Sequence, residues 1–335
     1  MNRPPAVSAV GALCFDQTVP RQLAHRRGLA EVFVADTAKL GVDEFAAALQ
    51  APRAHSLWHD QDHDLHDPLV VVEACRQAIF VGLHRYWEVP VGTPGSLQRF
   101  DFRVLDLGAY RDDHANPLAG IAQIQLTLSR TEGGEGGVAN FAGRIVIGGR
   151  EAMTVEGTIL LFRREDFEVL RAHQRAAKPL LPRHPPASRL SAPKLVGRRD
   201  IRNVVIGDAV ADGVAGEEQR YPVFVDTGNP AFFDHPNDHL PGPLIVEAYR
   251  QAAIRAATRV GSLAAPRAVA TGCRAEFVDF AEYEGPIECS ASVAASVEGE
   301  VPVRVGLQQF DKEVAEADLV LREVPPSGSS GQVPC

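Results

Sequence analysis

The sequence predicts an α+β fold built twice in one chain, each copy a long antiparallel sheet wrapped around one central helix. Two observations lead there. A polar triplet recurs at a constant offset of 174 residues, Glu73, Arg76 and Gln77 in the first copy becoming Glu247, Arg250 and Gln251 in the second. Each triplet lies in a helical run, and each run is followed by four segments of strand character. A repeat of so long a period means a duplicated domain, not a solenoid of short units.

The elements follow in order. Residues 32–36 read as an opening strand, and residues 204–208 match them at an offset of 172. Residues 69–86 and 244–260 carry helix formers that are apolar on nearly every face near their starts, the mark of a buried helix. Strands are expected at 97–105, 120–129, 138–147 and 152–162, and in the second copy at 268–280, 287–297, 301–310 and 315–321. The glycine-rich stretch 131–139 reads as a mobile hairpin connection; it lacks the strand–loop–helix setting of a phosphate-binding loop. The proline-rich stretch 178–194 is unsuited to helix or central strand and reads as an extended linker. The expected division is an N-terminal domain at 1–177, a linker at 178–197, a C-terminal domain at 198–324 and a disordered tail at 325–335.

With 335 residues, 45% of them hydrophobic and 23% charged, the chain has the composition of an ordinary soluble globular protein with material for two cores. No run of about 18 uncharged apolar residues suggests a membrane span, and the N-terminal stretch lacks the apolar region of a secretory signal. Five cysteines without a CxxC pair fit reduced thiols and a cytoplasmic location. A net charge of −9 disfavours a general nucleic-acid binder. Between Arg163 and Arg202, however, eleven Arg/Lys face four Asp/Glu. Such a patch either steers an acidic macromolecule or a phosphate, or is a solvated linker.

Glu247, Arg250 and Gln251 stand at i, i+3 and i+4, so they share one helix face among the apolar Leu244, Ile245, Ala248 and Ala252. A carboxylate in that setting is either paired or raised in pKa, which suits a general acid or base. The same pattern also reads as an ion pair that merely holds the helix, and duplication copies structure as well as function. Pro241-Gly242-Pro243 marks a helix start where backbone N–H groups and the helix dipole would polarise a carbonyl or hold an anion. His and Asp cluster before both helices, at 55–67 and at 234–239. Neither cluster has HExxH or facial-triad spacing, so no metal is expected. Turn formation and helix capping explain much of the Asp content, and a histidine beside the carboxylate would serve as a proton carrier. Cys75 and Cys289 read as small buried residues, and no GxSxG nucleophile element is present.

The segment from Asp234 to Ala248 resembles the active-site segment of hotdog-fold acyl-carrier-protein dehydratases, in which a His and Pro-Gly-x-Leu precede a Glu on the central helix. It departs from them in the shorter spacing between His235 and Pro241 and in the Arg-Gln that follows. The closer resemblance is to the A-factor biosynthesis (AfsA-type) hotdog family, which builds γ-butyrolactone or butenolide signals in actinomycetes. It is carried by residues 66–78 (HDPLVVVEACRQA), 234–252 (DHPNDHLPGPLIVEAYRQA), 25–36 (HRRGLAEVFVAD) and 51–55, and extends over about residues 20–324.

That resemblance implies a tandem double hotdog fold, a pseudo-dimer within one chain, with a further homo-oligomer left open. It implies transfer of a 3-oxoacyl group from an acyl-carrier-protein or CoA thioester to dihydroxyacetone phosphate, with no cofactor. Glu247 or Glu73 would deprotonate the hydroxyl, and Arg250 or Arg76 would hold the phosphate. Gln251, Gln77, Gly242, His66 and Asp238 would complete the binding surface. His235 or His239 would face Glu73, and His63 or His66 would face Glu247, in sites shared between the copies. The Glu247 site is favoured, because the first copy has Asp67-Pro68 where the second has Pro-Gly. A hotdog dehydratase, a thioesterase and a non-catalytic acyl-binding protein are the alternatives.

Overall fold

Helices that are apolar on nearly all sides need walls on nearly all sides, and here a single sheet supplies them. The computed structural model describes residues 9–131, 136–181, 189–210 and 218–325. The first half contains β1 (Val34–Lys39), β2 (Glu44–Ala51), α1 (Pro68–Tyr86), β3 (Gly95–Val104), β4 (Leu118–Arg130), β5 (Gly137–Ile147) and β6 (Arg150–Leu161). A crossing helix, α2 (Arg164–Ala176), follows. The second half contains β7 (Gln219–Pro222), α3 (Gly242–Arg259), β8 (Ala268–Phe277), β9 (Ile287–Val293), β10 (Glu300–Gln309) and β11 (Lys312–Glu323).

Thirteen of the nineteen residues of α1 and twelve of the eighteen of α3 are buried, as their all-round apolar character requires. Pro68 opens α1, with the Asp67 carboxylate accepting the Leu69 N–H at 3.0 Å. No side chain caps α3, which starts at Gly242 with Pro243 in its first turn. Strand alternation fills the space between helix and sheet: on β4, Ala122, Ile124 and Leu126 point inward while Gln123 and Gln125 face out. At Gly82 the helix comes so near the sheet that an added Cβ would stand 2.6 Å from the Phe45 ring.

The eleven strands form one antiparallel sheet in the order β1-β2-β4-β5-β6-β3-β8-β11-β10-β9-β7. The two expected sheets therefore meet edge to edge, β3 pairing with β8 from Arg99↔Glu276 to Arg103↔Gly272. The seam satisfies two sheet edges that would otherwise be open to pairing with other chains, and Arg274 Nε donates across it to Asp101 at 2.9 Å.

Both helices and all eight post-helical strands stand where the sequence places them, within a few residues. Residues 204–208 do not form the expected strand; the segment makes isolated bridges, Leu190↔Gly207 and Ile206↔Val223. Its neighbour β7 is only four residues long and ends at Pro222, which has no N–H to extend a ladder. Of the expected linker, residues 182–188 lie outside the described residues. Residues 193–196 form a 3-10 turn that buries Val196 completely. The tail from 326 and loop residues 132–135 also lie outside the described residues.

Part of the basic run between Arg163 and Arg202 is spent inside the chain, while Arg163, Arg164, Arg189, Lys194, Arg199 and Arg202 stay exposed. From α2, Arg171 pairs with Glu282 at 2.9 Å and with Asp238 at 2.8 Å, and Lys178, just past the helix end, pairs with Glu282 at 3.0 Å. Glu282 is fully buried beneath them, so α2 is pinned onto the second half. No helix among the described residues is long and apolar enough to cross a membrane.

Candidate active site

Helical spacing brings each polar triplet to one face, and a short segment ahead of each half completes it. In the first half, Arg76 Nε donates to Glu73 Oε2 at 2.8 Å, and Arg26, from the turn before β1, donates to Glu73 Oε1. Gln77 Nε2 donates to Glu73 Oε1 at 2.8 Å and to the Glu31 carbonyl at 2.9 Å, while its Oε1 accepts the Phe33 N–H at 2.8 Å. The second half repeats these partners, with Arg198 gripping both oxygens of its glutamate where Arg26 holds one. Arg250 Nε donates to Glu247 Oε2 at 2.9 Å, and Arg198 Nη2 donates to the same oxygen at 2.7 Å. Gln251 Nε2 donates to Glu247 Oε1 at 2.5 Å and to the Asn203 carbonyl at 2.7 Å; its Oε1 accepts the Val205 N–H at 2.9 Å. Arg26 and Arg198 were not among the site residues read from the sequence. The signal was present, since both stand in Arg-Arg pairs separated by the 172-residue offset of the strands that follow.

Burial works against ionisation of both glutamates, yet the guanidinium pairs prevail. Arg26 and Arg76 hold Glu73 well below the usual carboxylate range, and Arg198 and Arg250 bring Glu247 down to about 2. Carboxylates this acidic are weak bases. Their effect is to fix the arginines.

The two networks meet different surroundings. A cavity of about 360 Å³ opens between the halves. Arg26 and Arg76 line it from the first half; His235, His239 and Gly242 line it from the second. The remaining wall is largely apolar, with Phe80, Leu97, Phe162, Ile245, Phe277 and Phe280 prominent. Arg76 keeps 27% of its side chain exposed, whereas Arg198 is fully enclosed. Arg198 Nη1 donates to the Leu57 carbonyl at 2.9 Å and lies 3.5 Å from Asp67, so the Glu247 network is packed shut. Asp67 occupies the position that Pro241 holds in the other copy.

His235 brings a second-half imidazole beside the first-half arginines. Its Nδ1 is 3.5 Å from Asp234 Oδ2, and Asp234 accepts the Arg27 N–H at 2.6 Å and the Gly28 N–H at 2.9 Å. The loop before α3 is thereby clipped to the turn that carries Arg26. Burial, and then the charge of Arg26, lower the pKa of His235, leaving the ring neutral at pH 7. His239 Nδ1 bonds Asp238 at 2.5 Å, its ring meets Phe280 edge-on at 4.5 Å, and Asp238 is held in turn by Arg171. A Cβ built on Gly242 would meet nothing within 4 Å, so packing does not demand a glycine there and the space belongs to the cavity.

The structure thus gathers Arg76, His235, His239 and Gly242 around one cavity, with Glu73 behind the arginines and Asp238 behind His239. Glu247, Arg250 and Gln251 sit in the closed network, and the charges of Asp67, Arg250 and Arg198 act on the ring of His63. His66 turns elsewhere, its Nε2 3.8 Å from Asp112. Gln77 and Gln251 are fully buried and spend their amides on backbone and glutamate. The Cys75 and Cys289 thiols are pushed up by burial, as expected of packing residues.

Residues 9–147 and 182–325 match the model of the A-factor biosynthesis hotdog domain. The chain belongs to the A-factor biosynthesis hotdog family. Among its relatives, one from Streptomyces coelicolor is 27% identical over 85% of this chain and 86% of its own, and one from Streptomyces virginiae is 28% identical over 89% and 95%. Both are named 2-oxo-3-(phosphooxy)propyl 3-oxoalkanoate synthase. Among solved structures, a protein described as an oleoyl thioesterase from Lactobacillus plantarum superposes with a TM-score of 0.50 at 10% identity, over 84% of this chain and 97% of that one. At that identity the likeness concerns the double hotdog fold alone.

Proposed function

We propose that this A-factor-family protein is an acyltransferase that moves a 3-oxoacyl group from an acyl-carrier-protein or CoA thioester to the hydroxyl of dihydroxyacetone phosphate. One observation carries the reading: two guanidinium groups, fixed by a shared carboxylate, sit at the wall of an otherwise largely apolar cavity beside a neutral imidazole. Fixed guanidinium forks suit a phosphate, the apolar wall suits an acyl chain, and the imidazole suits a hydroxyl that must lose its proton. The name shared by the two Streptomyces relatives describes the ester such a transfer makes.

In this mechanism Arg26 and Arg76 receive the phosphate, with Glu73 as their positioning residue. His235, backed by Asp234, takes the proton from the co-substrate hydroxyl. The alkoxide oxygen attacks the thioester carbon, and the oxyanion forms near Gly242, where the positive end of the α3 dipole favours negative charge. Collapse breaks the C–S bond, and the proton on His235 passes to the leaving thiolate. His239 lines the second-half wall beside Phe280. The released 3-oxoacyl ester then has the connectivity to close by aldol condensation and dehydration to a butenolide phosphate.

Mass spectrometry of the protein with a 3-oxoacyl thioester, with and without dihydroxyacetone phosphate, tests this. Thiol release that depends on the phosphate compound, with an ester or butenolide mass, is expected. Release without it would make the protein a thioesterase, and water loss from a 3-hydroxyacyl thioester would make it a dehydratase.

A further inference from the structure

His25 lines the same cavity, next to Arg26 in the chain, and the sequence pattern did not single it out as a site residue. Its backbone is left-handed, with φ of +52°. That region is open to glycine and costs a residue with a side chain energy, so an occupant such as histidine calls for a reason. The other half shows the unstrained solution: the matching position, 172 residues on, is Gly197 with φ of +66°.

The ring is fixed in rotation and in tautomer. It stacks on Phe80 with centroids 4.4 Å apart and 26° between planes. His25 Nε2 and His84 Nε2 are 2.8 Å apart, and His84 Nδ1 is 2.7 Å from the Val89 carbonyl. A carbonyl only accepts, so His84 carries its proton on Nδ1 and accepts at Nε2. His25 therefore donates from Nε2, and its Nδ1 keeps a lone pair that bonds nothing among the described residues. That nitrogen belongs to a ring that lines the cavity with Arg26 and Arg76 and feels the charge of both, so it is available to a donor that enters there.

The charged and titratable groups that face this ring are Arg76 and His84 from α1, His235 from the loop before α3, and Arg26. Burial first, and then these groups, bring the imidazole pKa down to about 3. A phosphate seated on Arg26 and Arg76 cancels the opposition of both arginines and adds an anion that favours a charged ring.

We propose that His25 is a third ligand of the co-substrate phosphate: as the phosphate settles on Arg26 and Arg76, a proton from solvent adds to Nδ1, and the new N–H donates to a phosphate oxygen. No ring movement is needed, because Nε2–H stays on His84 in both protonation states. The assignment of the phosphate to dihydroxyacetone phosphate rests on the acyltransferase reading; the anion site itself does not.

Isothermal titration of the full-length protein, with dihydroxyacetone phosphate and separately with inorganic phosphate, tests it at pH 7.5 in two buffers of different ionisation enthalpy. The wild type is expected to take up close to one proton per phosphate bound. His25→Asn and His25→Gly should lose that uptake and bind about 10–100-fold more weakly. His25→Gly places at 25 the residue that the second half uses in the same conformation, so the backbone path is free of strain. Phosphate binding without proton uptake in the wild type would overturn the proposal, as would uptake that survives in both variants, which would assign the proton to His235. Should dihydroxyacetone phosphate fail to support thiol release, the acyltransferase reading falls while the inorganic phosphate titration still decides the role of His25.

Discussion

Arg26 and Arg198 stand 172 residues apart and bind corresponding glutamates on corresponding helices, yet Arg26 lines the cavity while Arg198 is sealed between the Leu57 carbonyl and Asp67. One residue type at one repeat position becomes a cavity-facing group in the first half and an internal strut in the second. The difference comes from what the opposite half places against the guanidinium.

Removing either cavity arginine should therefore act on the phosphate compound. Arg26→Ala and Arg76→Ala are each expected to raise the KM for dihydroxyacetone phosphate about 10–100-fold, the worth of a charged hydrogen-bonded contact. Arg76→Lys should recover little of it, because an ammonium lacks the fork that spans Glu73 and a phosphate. Steady-state kinetics against both substrates check this, and an effect confined to the thioester would reassign the pair.

In the closed network the expected loss is of stability. Glu247→Gln leaves Arg198 and Arg250 buried without their counter-charge and should cost about 3–5 kcal/mol in urea unfolding. Replacing the whole charged cluster with apolar residues, Glu247→Met with Arg198→Met and Arg250→Met, should return much of that and retain turnover. A folded triple variant without turnover would place the cluster in the chemistry after all.

Acid should weaken the fold early. His25 is brought down to about 3 and His63 to about 4, in both cases first by burial. Between those values and about 6.5 the unfolded chain binds protons that the folded chain does not. Their contribution is therefore complete above pH 6.5 and is lost as pH falls toward 4 and then 3. Thermal unfolding from pH 7 to 4 should show a falling Tm, and His63→Asn should flatten the decline.

Two glycines should part company. Gly82→Ala drives a methyl group into the Phe45 ring and is expected to cost about 1–3 kcal/mol. Gly242→Ala meets open space, so stability should stay within about 0.5 kcal/mol. The added methyl at the cavity wall should instead raise the KM for the acyl thioester.

The duplication and both central helices were legible because a buried helix must be apolar all round and because the offset of 174 keeps Glu, Arg and Gln in step. β2 escaped notice: its EFAAALQA is alanine-rich and lacks the β-branched residues that mark strands. α2 was hidden in a basic run whose charges are explained only by acids on the other half, such as Glu282. The β3–β8 seam is a pairing between distant strands, and no local pattern announces it. The sequence favours the Glu247 site on its Pro-Gly, but that dipeptide does not decide which network faces the cavity. That depends on Asp67 and the Leu57 carbonyl closing over Arg198, a contact between halves that repeat spacing does not encode.

The pairing of His25 with Gly197 has a consequence for how such a site could arise. In a dimer of identical subunits, one codon sets the residue at both mouths, so an imidazole gained at one is imposed on the other, strain included. Fusing the copies into a single reading frame gives each mouth its own codon. One copy is then free to specialise while its twin drifts toward pure scaffold.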